Sequence, residues 1–155
     1  MAVSCTPQGY SSVTPYLLVN DSTSAIAFYK RAFDAIEIMR LDGPQNKIWH
    51  AELQIGNARI MLADEFAETA IHCPHTLGGA GMSLLIYVAD VDAVFNQAMA
   101  AGATKVRAVQ EQFYGDRSGM LRDPYGHIWS IATHKEDLSL EEIRSRSQAM
   151  LHKRA

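Results

Sequence analysis

The chain has 155 residues, of which 48% are hydrophobic and 20% charged, and its formal charge is −3. That is the size and balance of one ordinary folded domain, and it argues against a disordered chain. No apolar run approaches the roughly 20 residues of a membrane-spanning helix. Fourteen Lys and Arg stand against seventeen Asp and Glu, so a nucleic-acid partner is not expected. The one basic cluster, Arg144, Arg146, His152, Lys153 and Arg154, reads as a solvated helix end. Residues Met1 to Pro7 lack a charged, then apolar, secretory signal, and Cys5 and Cys73 are far apart. Both features suit reduced thiols in a cytoplasmic protein.

In chain order, residues 1–11 are polar and irregular and read as a flexible arm. A strand is expected over Val13–Val19. Asn20-Asp21-Ser22 then starts a helix over 23–33, with Ala25, Phe28, Tyr29, Ala32 and Phe33 on one face. Strand-like runs follow at 35–41, 47–55 and 58–63, the last two joined by a Gly56-Asn57 hairpin turn. Residues 65–81 form a long loop ending in Gly78-Gly79-Ala80-Gly81, read as a linker or lid. The pattern then restarts. An apolar strand over 82–89 precedes Asp90, a helix over 91–101 closed by Gly102, and strands near 104–109, 117–122 and 127–133. Asp123-Pro124-Tyr125-Gly126 suits a type I turn. Ser139-Leu140-Glu141-Glu142 is a capping box that opens a C-terminal helix.

The order is therefore β-α-β-β-β, a linker, and β-α-β-β-β. A shift of 69 residues lays Thr14–Val19 on Ser83–Val88 and Asp21 on Asp90. This internal repeat divides the chain into an arm (1–11), a first module (12–64), a linker loop (65–81), a second module (82–135) and a C-terminal helix (136–155). The fold class is α+β: paired βαβββ modules forming a curved mixed sheet, with helices on its outer face and a cavity on the inner one.

Several segments carry a family resemblance. They are Val13 to Ala35 with Phe28-Tyr29, His50 to Gly56, Ala58 to Glu65, and Gln112 to Gly119 continuing through Asp123-Pro-Tyr-Gly to His134. In this order and spacing the chain resembles the vicinal oxygen chelate superfamily of glyoxalases, bleomycin-resistance proteins and extradiol dioxygenases, and within it the PhnB-like proteins. The resemblance implies the glyoxalase/bleomycin-resistance fold, a homodimer, and a small organic ligand in the sheet cavity. In the metalloenzymes of that superfamily, the first and fourth strands of each module supply ligands to a divalent ion. Those positions fall on Thr14, Met61, Ser83 and Ser130. A thioether and three hydroxyls hold such an ion poorly, so no metal and no other cofactor is expected, and binding is favoured over chemistry. The alternative is a metal-dependent lyase, isomerase or dioxygenase, or chemistry around His50 and Glu52.

Strand parity completes the expected cavity. His50, Glu52 and Gln54 share one face of their strand, opposite Ala51, Leu53 and Ile55. The inner wall would combine Tyr16, Arg59, Met61, Leu85, Tyr87 and Ser130 with His50 and Glu52. Tyr114 and Arg117, in the distinctive Phe113-Tyr-Gly-Asp-Arg117 segment, are added as a stacking aromatic and an anion clamp. No residue is assigned a catalytic role. The His72-Cys73-Pro74-His75 stretch is read as a solvated loop, since no matching pair of ligands lies elsewhere.

Overall fold

The structure is a computed structural model that describes residues 3–152. Residues 1–2 of the expected arm, and residues 153–155 of the expected C-terminal helix with Lys153 and Arg154, lie outside the described residues. The first module comprises β1 (Tyr16–Val19), α1 (Ser22–Phe33), β2 (Ile36–Asp42), β3 (Ile48–Ile55) and β4 (Ala58–Asp64). A short helix, α2 (Pro74–Leu77), lies in the connection. The second module comprises β5 (Ser83–Tyr87), α3 (Val91–Ala101), β6 (Thr104–Glu111), β7 (Asp116–Arg122) and β8 (Ile128–His134), and α4 (Leu140–His152) ends the chain.

Each module folds its strands in the order first, fourth, third, second, with one parallel pair and two antiparallel pairs. The repeat holds at the level of register. Tyr16 lies beside Met61 and Leu85 beside Ser130, so both members of the second pair are displaced by the same 69 residues. It also holds at the helix starts. The Asp21 and Asp90 carboxylates accept from Ser24 N and Ala93 N, each at 3.0 Å. The last strand of each module supplies a further cap: Ser22 N donates to Asp64 Oδ1, and Val91 N to Thr133 Oγ1. These side chains satisfy amide groups that a helix start leaves without partners.

The apolar face of α1, with Ala25, Phe28, Tyr29, Ala32 and Phe33, is buried against Leu17, Ala51, Leu53 and Leu62. The same core continues into the second module through Phe95, Leu121, Trp129 and Ile131. Phe33 and Trp129 rings sit 4.8 Å apart, and α1 packs along α3. Burial of each large side chain contributes roughly 1.5–3 kcal/mol. Gly119 on β7 faces α3 so closely that a Cβ would lie 2.8 Å from the Phe95 ring. Each sheet thus covers one face with its helix. We call the other the open face.

Four expectations change. The first strand begins at Tyr16, not Val13, because Pro15 has no N–H to enter a ladder. Thr14 therefore precedes the strand and donates to Ser11 O instead. The two sheets are separate four-stranded units rather than one continuous curved sheet. The connection 65–81 is not a bare loop: it holds α2 and is pinned by Glu65, whose carboxylate accepts from Cys73 N and Thr76 Oγ1. The arm is not loose over its described part, since Tyr10 donates to Glu52 Oε2 and stacks beneath the Arg59 guanidinium.

Candidate functional site

The open face of the first sheet brings together Tyr16, His50, Glu52, Arg59 and Met61, because cross-strand partners share a face. Glu52 lies beside Met61, and Gln54 beside Arg59. Side chains here form a continuous chain. Tyr16 Oη is 2.8 Å from His50 Nδ1, and His50 Nε2 is 3.3 Å from Glu52 Oε1. Tyr10 closes the far end on Glu52 Oε2. The carboxylate can only accept, so His50 donates from Nε2, and Nδ1 receives the Tyr16 proton. The hydrogen bond from Tyr10 holds the Glu52 carboxyl below its usual range, while burial raises the phenol of Tyr16. The Nε of Arg59 is buried without an acceptor.

One end of this face opens into a cavity of about 490 Å³ lined by Tyr16, Leu18, Trp49, Ala63, Phe66 and Ile71. Trp49 reaches it through a bulge. Leu41 pairs with His50 and Asp42 with Ile48, so Trp49 has no partner on β2. An unpaired residue bends its strand and re-aims its side chain. The Trp49 and Phe66 rings are 5.1 Å apart, and Lys47 Nζ lies 5.0 Å over Phe66. Beside the cavity, Cys73 packs on Leu18 and Ala63, so the connection between modules covers part of the open face. The walls are mostly aromatic and aliphatic, with Asp64, Glu68 and Thr69 also on the lining and the Tyr16 hydroxyl joining them to the polar chain. Such a site suits an apolar molecule with a few polar groups.

The second sheet carries its own cluster. Leu85 and Tyr87 project from β5 with Ser130 and Ala132 of β8 beside them. Leu85 and Tyr87 are exposed, whereas Ser130 is buried. Tyr87 Oη donates to Asp116 Oδ2, and His134 lies 2.7 Å from Asp116 Oδ1 and 2.9 Å from Asp137 Oδ1. With a carboxylate at each ring nitrogen, His134 is raised above its ordinary value, Asp116 contributing most. The two modules thus present separate groups: Tyr16, His50, Glu52, Arg59 and Met61 on one sheet, Leu85, Tyr87 and Ser130 on the other.

Two candidates need correction or relocation. Arg117 does not reach the open face. Its guanidinium pairs with both Asp92 oxygens on α3, each at 2.8 Å, and with Glu111. The reason is parity: Arg117 shares its side of β7 with Gly119 and Leu121, against the helix. Tyr114 lies in the β6–β7 turn, edge-on to Phe113, near the Tyr87–Asp116 pair. That turn is fixed by Gly115 at φ +98, whose carbonyl accepts from Lys135 N and Glu136 N. A Cβ there would meet Glu136 O at 2.5 Å.

The four positions aligned with superfamily metal ligands do not fit a divalent ion. Thr14 lies outside β1, and Met61, Ser83 and Ser130 offer a thioether and two hydroxyls. Among the described residues no three His, Cys, Asp or Glu side chains converge as such an ion needs.

Sequence reasoning missed Tyr10, Trp49, Phe66, Asp116 and His134. The parity that selected Ser130 extends through Ala132 to His134, and pairing places Asp116 opposite it, so that signal was available. Trp49 depends on a bulge, and Tyr10 and Phe66 on loop placement, which no periodicity reports.

Among known families, the model of the Glyoxalase/Bleomycin resistance protein/Dioxygenase superfamily matches residues 10–131. An uncharacterized protein of Mycobacterium bovis is 39% identical over 148 residues, covering 94% of this chain and 95% of that one. The X-ray structure of an Arabidopsis thaliana gene product is similar at TM-score 0.65 and 27% identity, over 79% of this chain and 98% of its own. A PhnB protein from Bacillus cereus shares the fold at TM-score 0.62 and 19% identity, over 79% and 99%.

Proposed function

This chain belongs to the Glyoxalase/Bleomycin resistance protein/Dioxygenase superfamily, and from that premise we propose that it is a PhnB-like small-molecule-binding protein without the superfamily's metal. Its ligand is a compact, partly aromatic organic molecule. The observation that carries this reading is the aromatic-walled cavity of about 490 Å³ on the open face of the first sheet, edged by the polar chain that begins at Tyr16. Cavities of a few hundred Å³ with mostly apolar walls and few polar groups are the usual form of ligand sites. The donor set at Thr14, Met61, Ser83 and Ser130 supports binding without an ion.

The working unit of this reading is a homodimer in the cytoplasm. Each sheet leaves its open face uncovered in a single chain, with Tyr16, Leu85 and Tyr87 exposed. A second copy would cover these residues and could enclose the ligand. Among the described residues no helix is long and apolar enough to cross a membrane, and Cys5 and Cys73 are free thiols.

The test is a fluorescence and thermal-shift screen against planar aromatic metabolites. Trp49 is 59% exposed and Trp129 1% exposed, so quenching reports on the cavity. A bound ligand is expected to quench Trp49 and raise Tm, and Phe66→Ala to weaken both effects. If no compound moves either signal, the cavity is vestigial. Stoichiometric metal in the purified protein would overturn the metal-free part.

A further inference from the structure

Resting on the reading of this cavity as a ligand site, we propose that Tyr16, His50 and Glu52 form a proton-accepting relay that takes the hydroxyl proton of a planar hydroxy-aromatic ligand and holds that ligand as its oxyanion. Tyr16 belongs to two structures at once. Its ring forms part of the cavity wall, and its hydroxyl is 2.8 Å from His50 Nδ1. The directions along the chain are fixed from the far end. Glu52 accepts from Tyr10 at one oxygen and from His50 Nε2 at the other. His50 Nδ1 is then a lone-pair acceptor, and the Tyr16 proton points to it. What Tyr16 leaves for the cavity is an oxygen lone pair. A ligand group that satisfies it must donate, and an aromatic hydroxyl does so while its ring lies between Tyr16, Trp49 and Phe66.

The transfer is balanced. The ligand O–H bond breaks as its proton bonds to Tyr16 Oη, and the original Tyr16 proton passes to His50 Nδ1. The products are a ligand oxyanion, a neutral Tyr16 phenol that now donates back to it, and an imidazolium paired with Glu52. No electrons leave the system and no co-reactant is consumed. The phenol of Tyr16 is only a conduit, in keeping with the partial burial that disfavours its own ionised form. The imidazolium forms next to an ionised carboxylate, which offsets the cost of creating charge. Arg59, close to Glu52 and Tyr10, adds positive charge on the same face.

The experiment uses 4-methylumbelliferone, whose neutral and anionic forms have different excitation bands, and its methyl ether, which cannot ionise. Trp49 quenching measures binding independently of ionisation. The bound hydroxy probe should show an anion-to-neutral ratio about tenfold above that of free probe at the same pH, which is one unit of pKa. Binding should release no proton to the buffer, because the proton stays on His50. Tyr16→Phe and His50→Gln should abolish the ratio change while Trp49 quenching persists, and Glu52→Gln should diminish it. The methyl ether should quench Trp49 more weakly than the parent. The proposal is overturned if bound probe keeps the ratio of free probe, or if Tyr16→Phe retains the change; quenching in those cases leaves the ligand-site reading standing. If neither compound quenches Trp49, both readings fall together.

Discussion

Asp123 shows how a single side chain ties the modules together. It is buried, and its two oxygens accept from Tyr29 Oη, Trp129 Nε1, Tyr125 N and His127 N. Tyr29 comes from the first module and the others from the second, so this carboxylate is both a turn closure and an intermodule anchor. Asp123→Ala would strand four buried donors, and the expected loss is about 3–5 kcal/mol. A lowered urea midpoint measures it; a change under about 1 kcal/mol, the worth of one ordinary hydrogen bond, would show that the donors find other partners. Tyr29→Phe removes only one donor and should cost about 1 kcal/mol. His127 adds a second tie, its Nε2 donating to Leu18 O of β1 at 2.9 Å.

At the scale of elements, the two helix starts are equivalent devices and make equivalent predictions. Asp21→Ala and Asp90→Ala should each cost about 1 kcal/mol. The double variant should cost nearly the sum, because the two caps share no partner. Denaturant unfolding of the three variants checks this, and a large non-additive term would mean the caps communicate through α1 and α3. The connection 65–81 makes a pH prediction. Hydrogen bonds from Cys73, then Thr76, with His72 beside them, hold the Glu65 carboxyl down to about 2 from an ordinary 4.5. Because the folded value is the lower one, the anchoring is complete above the ordinary value and is lost as pH falls towards about 2. Amide hydrogen exchange at Cys73 and Leu77, corrected for intrinsic rates, should therefore accelerate between those limits. Glu65→Gln should exchange fast at every pH.

At the scale of the molecule, the proposed homodimer rests on the open faces. Light scattering should report twice the mass of the 17.1 kDa chain. Leu85→Asp, an exposed open-face position, should shift the protein to monomer while leaving its circular dichroism unchanged. A monomeric parent protein would remove the dimer from the proposed function. The open faces also mark how far a sequence can be read. Strand parity separates His50, Glu52 and Arg59 from Ala51, Leu53 and Leu62, and a helical period finds Phe28, Tyr29 and Phe33, because burial on one side imposes those periods on the residues themselves. The 69-residue repeat is legible for the same reason, and the structure carries it down to Tyr16 beside Met61 and Leu85 beside Ser130. Periods end where a bulge or a loop begins. They do not show that Trp49 leaves the β3 ladder, that Phe66 folds back beside it, or that Tyr10 reaches Glu52. Parity along β7 does place Arg117, on the side of Gly119 and Leu121, where its guanidinium meets Asp92 of α3. The paired modules and their core faces were legible in the residues themselves, because both depend on local pattern. That the sheets are separate, that a cavity lies beside Tyr16, and that Tyr16, His50 and Glu52 form one hydrogen-bonded chain depends instead on contacts between residues distant along the backbone, which no local pattern records.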